Sequence, residues 1–245
     1  RGVTGVQTCA LPIFYIPVAV LAVRMDDAYG GEEEVPTEPS TEPTDSTATD
    51  APKTTTRVLL PIRPGDVYDL SERVDADGNL SWEAPAGTFR LFRFVCSGTG
   101  RRSAHATPGA GGLTPDFLSV EATDVHFDHT VTVLLGEMRD HRPQSWTYIT
   151  DDGAMPSDAD WTPSLATDFR RLNGYDLTRY LPVFAGLTIE NYDVSERFRA
   201  DYRRTVADLL ARNRYGRLRE LAHQRNLSIH PISRSALSVP ADAVR

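Results

Sequence analysis

Four carboxylates crowd one short stretch of the chain: Asp151, Asp152, Asp158 and Asp160. They follow Trp146 to Thr150, a run of aromatic and β-branched residues that alternates large and small and reads as a buried strand. Acids at the carboxyl end of a strand suggest chemistry, because in α/β sheets and barrels the loops leaving that end build the site. The same four residues are also good turn formers and helix caps, here around Gly153 and Pro156, and at this level both readings stand.

The elements around them define how such a site would be held. Thr162-Pro163 opens a short helix through Leu172 that Asn173-Gly174 terminates. Asp193 lies three residues before Glu196, a capping-box spacing, and opens the longest helical pattern, with Phe198, Tyr202, Val206, Leu209, Leu210 and Leu218 on its inner face. Leu227 to His230 is again strand-like, bounded by Asn226 and Pro231. Strand, long helical crossover and strand make a parallel β/α unit, which puts His230 at the same end as Asp151. Upstream, Thr114-Pro115-Asp116 supplies an N-cap, a first-turn proline and a helix-start acid. Phe117, Val120, Asp124, Phe127, Val131, Leu134 and Met138 follow at helical spacing.

The first part of the chain is of another character. Residues 1–13 look like the translation of a sequencing adapter, and Phe14 to Val23 reads as a strand within an N-terminal β module spanning 14–29. The apolar run Leu11 to Val23 contains Pro12 and Pro17 and lacks a cleavage pattern, so no signal peptide is visible. Residues 30–56 are rich in Glu, Thr, Pro and Ser and read as a solvated linker or loop. Residues 57–96 are β-rich: a strand from Arg57, a turn at Asp75 to Asn79 with Gly78 at positive φ, a strand Leu80 to Glu83, and a turn at Pro85 to Gly87. Phe89 to Val95 carries aromatics on both faces and is expected to be a central strand.

The totals set bounds. With 245 residues, 40% hydrophobic and 24% charged, the chain can bury a sizeable core. A net charge of −8 argues against nucleic-acid or anionic-membrane partners, because no basic face can neutralise phosphates. Cys9 and Cys96 supply neither a disulfide framework nor a metal-binding spacing.

Several stretches in order resemble the bacterial α-L-rhamnosidases of glycoside hydrolase family 106. They are Asp69 to Trp82, Pro85 to Gly87, Arg93-Phe94, Ser97 to Arg101, His126 to Asp128, Trp161-Thr-Pro163, Asp168 to Pro182, Ser195 to Phe198, Tyr202 to Asp208, Tyr215-Gly216 and Ile229-His-Pro231. The resemblance implies an α/β fold. Residues 97–245 would form part of a (β/α)8 barrel, its first β/α units, preceded by a β-rich segment of a sandwich-like module. It implies inverting hydrolysis of terminal α-L-rhamnosides of plant or bacterial glycans, in which one carboxyl protonates the leaving oxygen and another activates water. It also implies a calcium ion, an oligosaccharide or rhamnoside partner, and an extracellular or periplasmic location.

Carried onto this sequence, the family's acids fall at Asp151 and Asp152, as catalytic groups or as calcium ligands. His105, Trp161 and His230 fall in the sugar pocket, Trp161 as a stacking platform. Two departures accompany the match. Asp151-Asp152-Gly153-Ala154-Met155 lacks the family's usual glutamate before Trp-Thr-Pro, and Ile232 replaces the glutamate after His-Pro. An isoleucine can neither move a proton nor bind calcium. A non-catalytic glycan-binding relative with a degenerate site is therefore the alternative, and a reading error in the gene is a third. A complete barrel takes about 250 residues alone, so the chain is expected to be a fragment.

Overall fold

The computed structural model describes residues 15–26, 29–34, 55–102, 112–138, 141, 143–151 and 160–231. The chain is mixed α/β and divides into two compact units. The first takes in Pro17–Phe94 and Thr178–Phe198, and the second takes in Val95–Leu177 and the chain from Arg199 onward. Among the described residues, no helix is long and apolar enough to cross a membrane.

In the first unit, strand β1 (Ile16–Arg24) is apolar from Ile16 to Val23, and Leu21, Ala22 and Val23 are each fully buried. Consecutive buried residues on a strand mean that both faces are covered, so β1 is the strand that is central. After β2 (Tyr29–Glu34) and β3 (Thr55–Leu59), strand β4 (Val67–Asp69) pairs antiparallel with β1, Ala22 opposite Tyr68. Strand β5 (Phe89–Cys96) lies on the other side of β1.

The expectation that Phe89 to Val95 is central is corrected here. It is an edge of the described sheet, and Leu91 is 55% exposed. Its aromatics are only half-buried: Phe92 stacks on Phe94, while Phe89 meets Tyr68 and Trp82 edge-on. The expected strand Leu80 to Glu83 reduces to a single bridge between Val74 and Leu80. The Asp75 turn is present, with Asp75 Oδ1 accepting from the Asn79 amide at 2.8 Å and Gly78 at φ 84°.

The flanks of the polar 30–56 stretch pair antiparallel as β2 and β3, Glu32 opposite Arg57. A backbone ladder needs no apolar side chains, which is why composition does not reveal it. Ile62 bridges Ile189, and the Glu190 amide donates to the Ile62 carbonyl at 2.7 Å. This ties Thr178–Phe198 to the β-rich part.

In the second unit, α1 (Val120–Phe127) is capped by Ser119, whose Oγ accepts from the Ala122 amide at 3.1 Å. Thr114-Pro115-Asp116 is therefore not the helix start. Asp116 instead accepts from the Leu118 amide at 2.9 Å and the Thr162 hydroxyl at 2.7 Å. A π-turn (Asp128–Thr132) joins α1 to α2 (Val133–Met138), with Thr130 Oγ1 donating to the His126 carbonyl at 2.6 Å. The wider turn rotates α2 relative to α1, so Leu134, expected inside, is exposed while Phe127 is buried.

Strand β6 (Tyr148–Asp151) precedes α3 (Leu165–Asn173), which ends on Gly174 at φ 79° as the Asn-Gly pair predicts. Helix α4 (Tyr192–Leu209) is capped by the Asn191 side chain, which accepts from the Val194 amide at 2.8 Å, instead of by Asp193. It runs through a second π segment (Leu210–Gly216) into α5 (Arg217–His223) and on to β7 (Ser228–Pro231). β6 and β7 pair parallel, as the strand–helix–strand pattern requires. Phe127, Leu218 and Leu221 form the core over this pair, with Val131, Ile149 and Ile229 against them.

Candidate functional site

The parallel pair brings Asp151 and His230 to neighbouring strand ends, in the register Thr150 opposite His230 and Asp151 opposite Pro231. Side chains alternate across a strand, so this register sends the two side chains to opposite faces. Ile149 and Ile229 pack under the helices, and Asp151 shares that face. Tyr148, Thr150, Ser228 and His230 share the other.

On the helix-covered face, both Asp151 oxygens are engaged by Arg214. Nε donates to Oδ2 at 3.1 Å and Nη2 to Oδ1 at 2.8 Å, with the Arg214 and Asp151 side chains only 5% and 9% exposed. A guanidinium fork on a carboxylate is the strong form of this contact, and burial leaves little water to compete. Arg214 lies on the π segment. Asn213, Arg214 and Tyr215 are buried in succession along it. Asn213 Nδ2 donates to the Leu118 carbonyl at 2.6 Å, and the Arg214 guanidinium lies over the Phe117 ring at 4.5 Å. Arg214 Nη1 is buried without a hydrogen-bond partner among the described residues. Burial holds the Tyr215 hydroxyl above its ordinary pKa, and the Asp151 charge adds to this.

The opposite face is polar and aromatic. The rings of Tyr148 and His230 stack at 4.5 Å with 9° between planes, and all four side chains there are exposed. An aromatic platform, two hydroxyls and an imidazole can grip a polyol through its apolar face and its hydroxyls together. Tyr148, Thr150 and Ser228 are not among the residues that the sequence singles out. Period-two alternation away from His230 is the signal that points to them.

Trp161 lies elsewhere, half-buried on the segment before α3. That segment is anchored by the Tyr202 hydroxyl, which donates to the Asp160 carbonyl at 2.8 Å, and by the Thr162 bond to Asp116. The structure does not bring Trp161 into ring contact with Tyr148 or His230. His105 and Asp152 lie outside the described residues, as do Gly153 to Met155 and Ile232 to Leu237, on which the degenerate-site alternative rests.

Both Asp151 oxygens face a guanidinium, and among the described residues no group of three or more His, Cys, Asp or Glu side chains could hold a metal ion.

The family profile for alpha-L-rhamnosidase matches residues 40–244. A rhamnosidase structure from Novosphingobium sp. PP1Y is similar at 32% identity and a TM-score of 0.61, covering 70% of this chain and 17% of that one. A Formosa agariphila protein named as a candidate beta-glucuronidase is 31% identical over 172 residues, 69% of this chain and 15% of its own length. The chain thus spans about one sixth of the relatives it matches.

Proposed function

The chain belongs to glycoside hydrolase family 106, the alpha-L-rhamnosidases, and from that membership we propose that it is part of an enzyme that hydrolyses terminal α-L-rhamnosides of plant or bacterial glycans. The observation that carries this reading is the parallel β6–β7 pair, whose open face presents stacked Tyr148 and His230 beside Thr150 and Ser228. In this reading β6 and β7 are neighbouring strands of a (β/α)8 barrel, and that face looks into the barrel, where the sugar binds. The Tyr148 ring covers an apolar pyranose face, while His230 and the hydroxyls bond its hydroxyl groups.

Hydrolysis with inversion takes two carboxyls roughly 6.5–9.5 Å apart across the ring, one giving a proton and one activating water. The Arg214 pair supports a positioning part for Asp151: it fixes the strand end from which the chain runs on to Asp152. The proton chemistry is assigned to Asp152 and to carboxylates supplied by the rest of the enzyme. Calcium enters this reading only as a ligand of carboxylates other than Asp151. An extracellular or periplasmic location follows from the size of such glycans and is checked by cell fractionation.

The test is release of rhamnose from an aryl α-L-rhamnoside by the intact protein, with the anomer followed by NMR. Turnover with an inverted first product supports the proposal, and no turnover with calcium supplied overturns it.

A further inference from the structure

The first unit contains a cavity of about 370 Å³ that the rhamnoside reading leaves unused, and it is within the ~300–1,000 Å³ range of small-molecule sites. Its wall includes Tyr68, Asp69, Arg73, Trp82 and Arg179. The aromatic side chains pack edge-on. Trp82 stands at 85° to Phe89, and Tyr68 at 75° to the same ring, with Tyr68 and Trp82 centroids 6.0 Å apart. Tyr68 and Trp82 are only half-buried, so packing does not consume their whole surface.

The polar part carries two cations. Many arginines of this chain are tied to acids, among them Arg24, Arg170, Arg171, Arg204, Arg212, Arg214, Arg217 and Arg225. The guanidinium groups of Arg73 and Arg179 make no hydrogen bond or ion pair among the described residues, and both line the same cavity. They come from segments more than a hundred positions apart in sequence, Arg73 from the short 3-10 turn Ser71–Arg73 and Arg179 from Thr178–Ala185. Asp69 adds one carboxylate. Its Oδ1 is fixed by the Ser71 amide at 2.9 Å and hydroxyl at 2.5 Å, so the group is held in place as an acceptor.

Two guanidinium forks favour a carboxylate ligand. The fixed Asp69 carboxylate disfavours a dense dianion such as phosphate and suits hydroxyl donors beside a single negative charge. The aromatic wall suits the apolar face of a ring. We propose that this cavity is a second carbohydrate subsite that takes a uronate residue, with Arg73 and Arg179 on its carboxylate, Asp69 on its hydroxyls, and Tyr68 and Trp82 against its ring. The choice of a sugar over another carboxylate rests on the glycosidase reading. The site would let the enzyme hold an acidic stretch of a glycan away from the bond it cleaves.

The experiment is calorimetry of the intact protein at low salt with a galacturonate trisaccharide and its fully methyl-esterified form, which keeps rings and hydroxyls but loses the charge. The free acid is expected to bind, and the ester to bind at least roughly tenfold more weakly. Arg73→Gln and Arg179→Gln should each weaken binding of the acid by roughly tenfold, and leave the melting temperature unchanged because both side chains are exposed. No binding of the acid, equal binding of acid and ester, or wild-type affinity in the Arg73→Gln/Arg179→Gln double variant overturns the proposal. Equal competition by inorganic sulfate overturns the assignment to a sugar. Trisaccharide binding without aryl-rhamnoside turnover in the wild type upholds the subsite and counts only against the rhamnosidase reading.

Discussion

Replacing Asp151 by Asn separates a structural part from a catalytic one. The Asp151 and Arg214 side chains are 9% and 5% exposed and share two hydrogen bonds. Removing the carboxylate charge leaves a buried guanidinium with no counter-charge on its fork, in addition to the Nη1 that already has no partner among the described residues. Breaking a buried pair from one side costs about 3–5 kcal/mol. For a domain of this size that is a fall in Tm of roughly 6–20 °C. The second change, Arg214→Met in the Asp151→Leu background, removes both charges and fills the space, so most of the loss should be regained. The assay is thermal and urea unfolding of the wild type, Asp151→Asn, Asp151→Leu, Arg214→Met and the Asp151→Leu/Arg214→Met double variant. The coupling between the two sites should be about 2–5 kcal/mol. A change in Tm of less than about 2 °C in Asp151→Asn, or simple additivity in the double variant, would refute the structural assignment and return Asp151 to the acids free for chemistry.

Other consequences can be checked alongside. Gly87 sits at φ 141°, and a Cβ there would run into the Asp26 carboxylate that accepts from the Thr88 amide, so Gly87→Ala should cost about 1–3 kcal/mol in urea unfolding. Ser119→Ala removes the cap of α1 and should cost about 1 kcal/mol, whereas Thr114→Ala should be close to neutral, a contrast that unfolding midpoints will show. The Asp75 carboxyl is held below its ordinary pKa by the Asn79 amide first and the Asn79 side chain second. Its folded pKa is depressed, so its contribution is present above the unfolded aspartate pKa and is lost as pH falls through the folded one. NMR titration should find its midpoint below that of an unstructured aspartate, and Asn79→Ala should raise it only part of the way, because the backbone amide that is the larger cause remains.

The path of the chain through the second unit is legible in the sequence. Trp146 to Thr150 and Leu227 to His230 carry enough β-branched and aromatic character to read as strands, and the long apolar helical face between them requires a parallel return. Both strands are therefore found, each ending one residue later than expected, but the expected burial of Trp146 to Thr150 and the side-chain directions are not: Tyr148 and Thr150 are exposed. Asp151 and His230 look like neighbours when pairing is considered without its register, and a one-residue offset sends side chains to opposite faces. Arg214, the partner of Asp151, lies 63 positions away and is buried by a π segment that no hydrophobic period announces. The caps at Ser119 and Asn191 are hidden in the sequence by more conspicuous neighbours, Thr114-Pro115 and Asp193 with Glu196. In the first unit, β1 and β5 both read as apolar strands. Only the pairing shows that β1 is flanked on both sides, and aromatic content alone does not distinguish a covered strand from a half-covered one.

The central claim is that the open face of the β6–β7 pair, and not the buried Asp151 behind it, meets the sugar. The most direct measurement is kcat/KM for an aryl α-L-rhamnoside in the intact protein, taken with Tm, for the wild type and for His230→Ala. His230 is exposed and stacked on an exposed Tyr148, so its removal should leave Tm within a few degrees while lowering kcat/KM by roughly tenfold or more. Wild-type kcat/KM in His230→Ala, or a loss of activity that merely follows a loss of Tm, would contradict the account.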